Sequence, residues 1–351
     1  MKSKNGLNII IRQFLIFTIA LIIMNYFGHT GFCREKNDLE YVIPETIGWS
    51  SVKLEAVKSY AEQIGSAAVM ALYEGKVFFS WGNITGKYLV HSIRKPFLNA
   101  LYGIYVNRGL INLDKNLAEL GIDDIPPSLT PLEKQAKIRD LLKSRSGVYH
   151  QAAAEAQGMI ESRPERGSHL PGTFFYYNNW DFNALGTIFE KVTGKRIFEA
   201  FKEEIANPIG MQDFLLSDGR YQLEWKKSLH PAYHFRMSAR DMARFGLLYQ
   251  NNGKWGDVQI ISPEWIKESL FPYSSHALHG DGYGYLWSII PEESGFGTGF
   301  YHTGNSVHVL AVLPKAKLVF IHRVDTDKDY DISFKQIRQL LYMIATARSD
   351  K

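Results

Sequence analysis

The sequence is poor in several features that would settle a fold or a chemistry at once. It holds a single cysteine, Cys33, among 351 residues. That excludes an intrachain disulfide framework and any structural zinc site built from cysteines. No G-x-S-x-G occurs, so the nucleophile elbow of an α/β-hydrolase has no candidate. No H-E-x-x-H occurs either. His276 and His279 form an H-x-x-H followed by Gly280 and Gly282, which reads as a surface loop, and Pro231 between His230 and His234 spoils a helical ligand pair. Internal repeats, low-complexity tracts and Pro- or Ser-rich linkers are absent. A strong charge bias is missing too. The formal net charge is +4, and Lys2, Lys4 and Arg12 supply three positive charges in an acid-free stretch of 32 residues, leaving 4 − 3 = +1 for the rest. No basic footprint for nucleic acid remains.

What is present is ordinary globular composition, 45% hydrophobic and 22% charged, enough for one large domain or two lobes sharing a core. At the amino terminus, Lys2 and Lys4 precede an apolar stretch that becomes continuous from Phe14 to Met24. This run is short for a ~30 Å hydrocarbon core and reads as the core of an export signal within residues 1–32, with a retained membrane anchor as the alternative. Cys33 raises lipidation, but the bulky Phe32 before it argues against a lipidation box. The expectation is an exported protein, periplasmic or extracellular.

Beyond the leader, Ser50 or Ser51 caps a helix with Leu54, Val57, Ala61 and Ile64 at helical spacing. Ala67–Tyr73 and Val77–Trp81 form a hairpin turning at Glu74-Gly75. The region from about 96 to 210 is expected to be mainly helical, including a capped helix at Thr130-Pro131-Leu132-Glu133 and a stripe of Phe182, Leu185, Phe189 and Val192 ended by Gly194. Ser238–Asp241 opens a further helix. Strands return as Tyr283–Ile290, Val307–Leu313 and Leu318–Val324, and Ser333–Ala347 closes with a helix. Strands at both ends around a helical middle imply an α+β fold: one antiparallel sheet flanked by helices, with an inserted all-helical lobe. The domain is expected over residues 45–348, its α/β lobe from about 45–92 and 235–348 and its helical lobe from about 93–234.

Three short patterns carry the chemistry. S-x-x-K occurs twice, at Ser50–Lys53 and Ser92–Lys95. Ser50 is explained by capping. Ser92 follows a strand pair and begins an apolar segment, so a buried helix would offer it to a cleft with Lys95 nearly one turn on, on the same face. A desolvated lysine loses proton affinity and serves as a base. An N-cap serine with a snorkelling lysine explains this motif equally well by itself. Tyr177-Asn178-Asn179, after the Pro171-Gly172 turn, would put a phenol and an amide on a loop edge; capping by Asn179 and core packing of Tyr176 and Tyr177 is the plain alternative. His302-Thr303-Gly304, with Asn305 next, enters a strand whose exposed edge would hold a peptide or an oxyanion.

Taken together and in this order, Ser92–Lys95, Tyr177–Asn179 and His302–Gly304 resemble the S-x-x-K, Y-x-N and K/H-T-G motifs of serine hydrolases with the β-lactamase/penicillin-binding-protein (transpeptidase-like) fold, in particular the class C-like branch. The flanking phrases Gly109–Asp114, Ser146-Gly147, Pro208–Met211 and Ser238–Arg244 are similar as well, and the likeness runs over roughly 45–348. It implies an acyl-enzyme on Ser92, with Lys95 and Tyr177 handling its proton and His302 where most true class C β-lactamases have lysine. It further implies an oxyanion hole from the N–H groups of Ser92 and Asn305, and substrate contacts from Asn179, Thr303 and Gly304. Trp180 and Tyr149 are candidate pocket walls, with Trp287 and Phe300 weaker ones. No metal or organic cofactor is called for. The expected partner is a small ester, amide or peptide, met by a monomer. A true β-lactamase, a D,D-carboxypeptidase and a non-catalytic cell-wall binder stand as alternatives, but neutral histidine at 302 makes β-lactam turnover weak or absent.

Overall fold

The computed structural model describes residues 38–275, 281–294 and 297–349. The chain divides into Met1–Asp38 and a compact unit, Leu39–Lys351. The expected leader or anchor within residues 1–32, Cys33 and the His276/His279 pair lie outside the described residues. Among the described residues, no helix is long and apolar enough to cross a membrane.

The compact unit opens with α1 (Ser51–Gln63), which buries Leu54, Val57 and Ala61 and is capped by Ser50, whose Oγ accepts from Lys53 N at 3.3 Å. The hairpin β1 (Ala68–Tyr73) and β2 (Lys76–Gly82) turns through Glu74 at φ 48° and Gly75 at φ 83°. Two successive left-handed residues give the primed turn that matches strand twist, and Gly75 takes its φ without a Cβ penalty. After β3 (Tyr88–Leu89) come α2 (Arg94–Asn107), α3 (Ile138–Leu142), α4 (Gln157–Glu161), α5 (Asn179–Thr193) and α6 (Ile197–Phe201). Then follow β4 (Gly219–Gln222), β5 (Ala232–Met237), α7 (Ala239–Gln250), the short pair β6 (Lys254–Trp255) and β7 (Val258–Gln259), and α8 (Pro263–Ser269). The chain returns as β8 (Ser274–Ser275), β9 (Gly282–Tyr283), β10 (Ser288–Ile290), β11 (Gly299–Gly304), β12 (His308–Leu313) and β13 (Leu318–Arg323), and ends with α9 (Phe334–Thr346).

Eight of these strands form one antiparallel sheet in the order β2-β1-β13-β12-β11-β10-β9-β8. Both ends of the chain build it, joined where Ala68 pairs with Arg323 and Tyr73 with Leu318. Every residue of β1, β12 and β13 is buried, so the centre of the sheet is covered on both faces. Strand alternation sorts the side chains. Val69, Ala71, Val309 and Phe320 pack with Leu340 of α9 and Val57 of α1, while Met70, Leu72, Leu310 and Ile321 join the larger core containing α2, α5 and α7. The fold is the α+β, β-lactamase/transpeptidase-like arrangement of an antiparallel sheet and helices expected from the sequence.

Four local expectations need correction. Tyr283–Ile290 is not one strand: Leu286 takes φ 60°, and the ladder breaks into β9 and β10. The capping contacts at Thr130 form, with Thr130 N donating to Glu133 Oε2 at 2.7 Å, yet only one 3-10 turn, Glu133–Gln135, follows. Glu133 is buried there under Arg166, which holds its carboxylate, and the chain leaves the helical region at Ala136. The middle of the chain carries long irregular stretches, 108–137 and 143–178, broken only by short helical turns. The lobe is also not all-helical: β4 lies within it and joins β3 and β5, from its two ends, in an unforeseen three-stranded sheet, β3-β5-β4. Its strands of two, four and six residues are too short for a clear alternation.

Candidate active site

Ser92 lies at the junction of β3 and α2, in a 3-10 turn, His91–Ile93, that runs directly into the helix. His91 enters this turn at φ 47°, a conformation costly for a side chain with a Cβ. The helix behind it is buried on all sides from Arg94 to Tyr105, and Pro96 falls in the first turn, where a missing N–H is tolerated. Lys95 Nζ donates to Ser92 Oγ at 2.8 Å. The amine has no exposure to solvent and lies 4.7 Å from the Tyr177 ring centre and 4.5 Å from that of Phe182. Burial first, and the adjacent Arg94 guanidinium second, push its pKa well below the usual lysine value.

Tyr177 and Asn179 come from the segment that enters α5. Asn178 caps that helix, its Oδ1 accepting from Trp180 N at 3.0 Å, which leaves Asn179 free of the capping role. Asn179 Nδ2 donates instead to the Ala154 carbonyl at 2.5 Å. A second strand of chain stitches the segment down. Ser144 Oγ donates to Tyr176 O at 2.7 Å and accepts from Asn178 N at 3.0 Å, and Ser146 Oγ donates to Asp181 Oδ1 at 2.5 Å. The Ser146-Gly147 phrase is thus a brace for the tyrosine and asparagine. Tyr176 turns away, donating to Met159 O at 2.5 Å. Burial raises the Tyr177 phenol far above its ordinary pKa, and its hydrogen bond with Ser92 and the Arg94 charge only partly oppose this.

The third wall is the end of β11. Gly304 permits it: a Cβ there would lie 2.3 Å from the Val90 carbonyl oxygen, two residues before Ser92. The strand edge and the serine turn therefore meet backbone to backbone. His302 is 3% exposed, with its ring centre 6.3 Å from that of Tyr177. Its Nδ1 lies 2.9 Å from Thr303 O, and a carbonyl only accepts, so Nδ1 carries the proton and Nε2 is a bare lone pair. Burial, then the nearby Lys95, push its pKa down to about 3. Asn305 and Ser306 follow at φ 48° and 58°, forming the turn into β12.

Ser92, Tyr177, Asn179, His302, Thr303 and Asn305 line a single cavity of about 760 Å³. Lys95 sits beneath Ser92, and Gly304 at the Val90 contact. The aromatic walls expected from the sequence are not there. Trp180 is fully buried and donates from Nε1 to Asp124 Oδ2 at 2.7 Å, so it belongs to the core. Tyr149 packs against Tyr176 and bonds His169 Nδ1 at 3.0 Å, away from the cavity lining. Trp287 and Phe300 stack edge to face at 5.1 Å inside the core. The second S-x-x-K is structural, with Lys53 Nζ donating to Thr346 O at 3.1 Å. Sequence reasoning missed Arg94, Arg220, Gln222 and His234, which also line the cavity. The last three come from β4 and β5, and only the unforeseen small sheet brings them to the cleft. Among the described residues, no cluster of three or more His, Cys, Asp or Glu side chains is placed to hold a metal.

A family model described as Beta-lactamase matches residues 53–333. No curated protein sequence matches the chain. Among solved structures, a candidate 6-aminohexanoate-dimer hydrolase from Bacillus anthracis superposes with a TM-score of 0.63 at 20% identity, covering 82% of this chain and 81% of that one. The octameric penicillin-binding protein homologue from Pyrococcus abyssi gives 0.62 at 20% identity, with 85% and 76% covered. EstCE1, a hydrolase with promiscuous acyltransferase activity, gives 0.58 at 15% identity, with 86% and 98% covered. At such identities these likenesses speak for the fold.

Proposed function

This chain belongs to the beta-lactamase family, and from that premise we propose that it is exported and cleaves a small amide or ester through an acyl-enzyme on Ser92. Members of the family are serine hydrolases, and so is this chain. The observation that carries the reading is the 2.8 Å contact between Lys95 Nζ and Ser92 Oγ beside a cavity shared with Tyr177, Asn179 and His302.

The direction of the pKa shifts divides the labour. Lys95, its proton affinity lowered, takes the hydroxyl proton as Ser92 Oγ attacks the substrate carbonyl carbon. Tyr177, its pKa raised, stays a neutral phenol and gives its proton to the leaving nitrogen or oxygen, and the Lys95 ammonium then restores it. The tetrahedral oxyanion rests on the N–H groups of Ser92 and Asn305, where losing one donor costs ~10²–10³ in rate. Water, activated through the same pair, releases the acid and regenerates Ser92. Asn179, Thr303 and Gly304 frame the substrate.

His302 argues against β-lactams. A neutral, buried acceptor offers no positive charge to a substrate carboxylate. Cephalosporin turnover should therefore stay below the ~10⁴ M⁻¹ s⁻¹ that marks ordinary enzymes. Linear amides, esters and peptides are the favoured substrates, a reading supported by two structural neighbours, the candidate 6-aminohexanoate-dimer hydrolase and the hydrolase with promiscuous acyltransferase activity. One chain supplies every residue of the proposed machinery, which supports action as a monomer. Export, by a cleaved leader or a retained anchor, rests on the basic and then apolar pattern of residues 2–24.

The test is labelling with a fluorophosphonate followed by peptide mass spectrometry. A covalent adduct on Ser92, lost in Ser92→Ala and kept in Ser50→Ala, is expected. A chain that folds but takes no label at Ser92 refutes the acyl-enzyme reading and leaves a non-catalytic binder.

A further inference from the structure

The small sheet β3-β5-β4 forms one wall of the cavity, and its register decides which side chains that wall presents. Arg220 of β4 stands opposite His234 of β5, and Leu89 of β3 stands opposite Arg236. Strand alternation therefore puts Leu89, His234, Arg220 and Gln222 on one face, and these four line the cavity. His234 is committed: its Nε2 meets Gln222 Oε1 at 3.0 Å, and burial keeps the ring neutral. Arg220 is different. It is exposed, and among the described residues no carboxylate, carbonyl or hydroxyl holds its guanidinium. The other fully charged groups of the lining are occupied or withdrawn. Arg94 is 2% exposed and gives Nη2 to Asn183 Oδ1 at 2.7 Å. Glu155 is tied to Arg163, and Asp281, beside β9 of the large sheet, accepts from Tyr301 OH at 2.6 Å. Among the described residues, Arg220 is thus the accessible, uncommitted cation of the cleft.

A guanidinium offers a planar fork that matches both oxygens of a carboxylate, and a cleft wall of one sign concentrates ligands of the other. We propose that the cleft selects linear amides or esters that carry a carboxylate, received by Arg220 on the small sheet and not by the motif residue His302. This deepens the acyl-enzyme reading and rests on it. The fold also sets where on the substrate that carboxylate belongs. β3 runs into the Ser92 turn, and β4 lies two strand spacings away, roughly 10 Å. The charge therefore sits at the far end of an extended chain, and a carboxylate close to the scissile bond falls short of Arg220.

Two matched pairs of substrates test the proposal on the full-length protein. Mono-p-nitrophenyl suberate and its methyl ester carry the charge, free or masked, on the acyl chain. 8-Acetoxyoctanoate and its methyl ester carry it on the leaving alcohol. At low salt, the anion of at least one pair should show a kcat/KM about fivefold or more above that of its neutral partner, the upper reach of an exposed ion pair. The ratio should shrink as salt screens it, and the pair that shows it identifies the side of the scissile bond that faces β4. In Arg220→Gln the ratio should fall to about one, and in Arg220→Glu below one. Ratios near one for both pairs in the unaltered protein overturn the proposal, and this measurement stands even where a variant does not fold. A preference that persists in a folded Arg220→Gln overturns it as well. Fluorophosphonate labelling separates the two layers. Label on Ser92 with no carboxylate preference sinks only this inference, whereas absence of label sinks the acyl-enzyme reading and this inference with it.

Discussion

Arg94 lies directly beside Lys95 on the first turn of a fully buried helix face, and among the described residues neither cation is paired with a carboxylate. Arg94 Nη2 is instead held by Asn183 Oδ1 at 2.7 Å, and its guanidinium stacks 4.3 Å from the Tyr233 ring centre. The groups facing Lys95 are Ser92, the rings of Tyr177 and Phe182, neutral His302 and Arg94; none offers a negative charge. An uncompensated like charge disfavours protonation of the lysine, which is what a base at neutral pH requires.

Replacing Arg94 should therefore move the pH profile. In Arg94→Met the Lys95 pKa rises, so the acid limb of kcat/KM for a p-nitrophenyl ester shifts upward by about one pH unit. Below both limbs the variant is then about tenfold slower, and at high pH the two enzymes converge. A loss of rate that is uniform across pH would mean that Arg94 acts only through folding. Lys95→Met removes the base itself and should cost ~10²–10⁴ in kcat at every pH.

Gly304 tests the closeness of two backbones. Its Cβ would fall 2.3 Å from Val90 O, a main-chain atom that cannot swing aside as the tip of a flexible side chain can. Gly304→Ala should push β11 away from the serine turn and move the Asn305 N–H off the oxyanion position. Loss of one such donor costs ~10²–10³ in kcat. Fluorophosphonate labelling of Ser92 should slow in step. Wild-type kinetics in this variant would show that the strand edge has no part in catalysis.

Trp180 separates core from pocket. Trp180→Phe leaves Asp124 with Ser228 Oγ at 2.6 Å, Leu229 N at 2.7 Å and Ile125 N at 2.8 Å, but removes the indole donor. One lost bond to a buried charge destabilises by about 1–3 kcal/mol. Urea unfolding should register that loss, while kcat and KM for a small ester stay as they were. A changed KM with unchanged stability would return Trp180 to the substrate pocket.

The contrast between Ser92 and Trp180 shows what a sequence of this kind exposes. Ser92, Lys95, Tyr177, Asn179 and His302 were legible because their chemistry sits at fixed spacing inside short motifs, two at the start of a helix and one at the end of a strand. The sheet was legible from the short, nearly continuous apolar runs of β1, β12 and β13, bounded by turn signals. Trp180 and Tyr149 misled because adjacency to a motif says nothing about the side of the element a ring occupies; α5 turns Asn179 to the cleft and Trp180 inward. Arg220 and His234 were invisible for the opposite reason. They become neighbours only through the register of β4 and β5, where Arg220 faces His234. That pairing of short strands carries almost no local signal. Leu286 likewise breaks a strand-like run through a single left-handed residue that nothing around it announces.

The buried histidines make the fold acid-sensitive. Burial is the largest cause that lowers the pKa of His91 and His322 to about 4 and of His234 and His302 to about 3, and it holds His308 well below its ordinary value. In the unfolded chain these groups titrate near 6.5. Above that pH both states are neutral and the histidines contribute no pH dependence. As pH falls from 6.5 toward 4, the unfolded chain takes up protons that the folded one refuses, and stability is lost. Each such histidine contributes a slope of about 1.4 kcal/mol per pH unit across that window. Asp181 and Asp241 work the other way, since burial raises their pKa and folding then favours the protonated carboxyl. With His230, whose pKa burial also lowers, six histidines stand against these two aspartates and leave a net loss on acidification. The urea midpoint should therefore be lower at pH 5 than at pH 7, with the m-value unchanged. His322 offers the cleanest single check, because its ring touches Ser66 Oγ at 2.8 Å and Val307 O at 2.7 Å, within the sheet. In His322→Gln the difference between the two pH values should shrink by the share of one histidine. A midpoint that does not move between pH 7 and pH 5 would mean that the folded protein accepts these protons, so that the rings are hydrated rather than sealed.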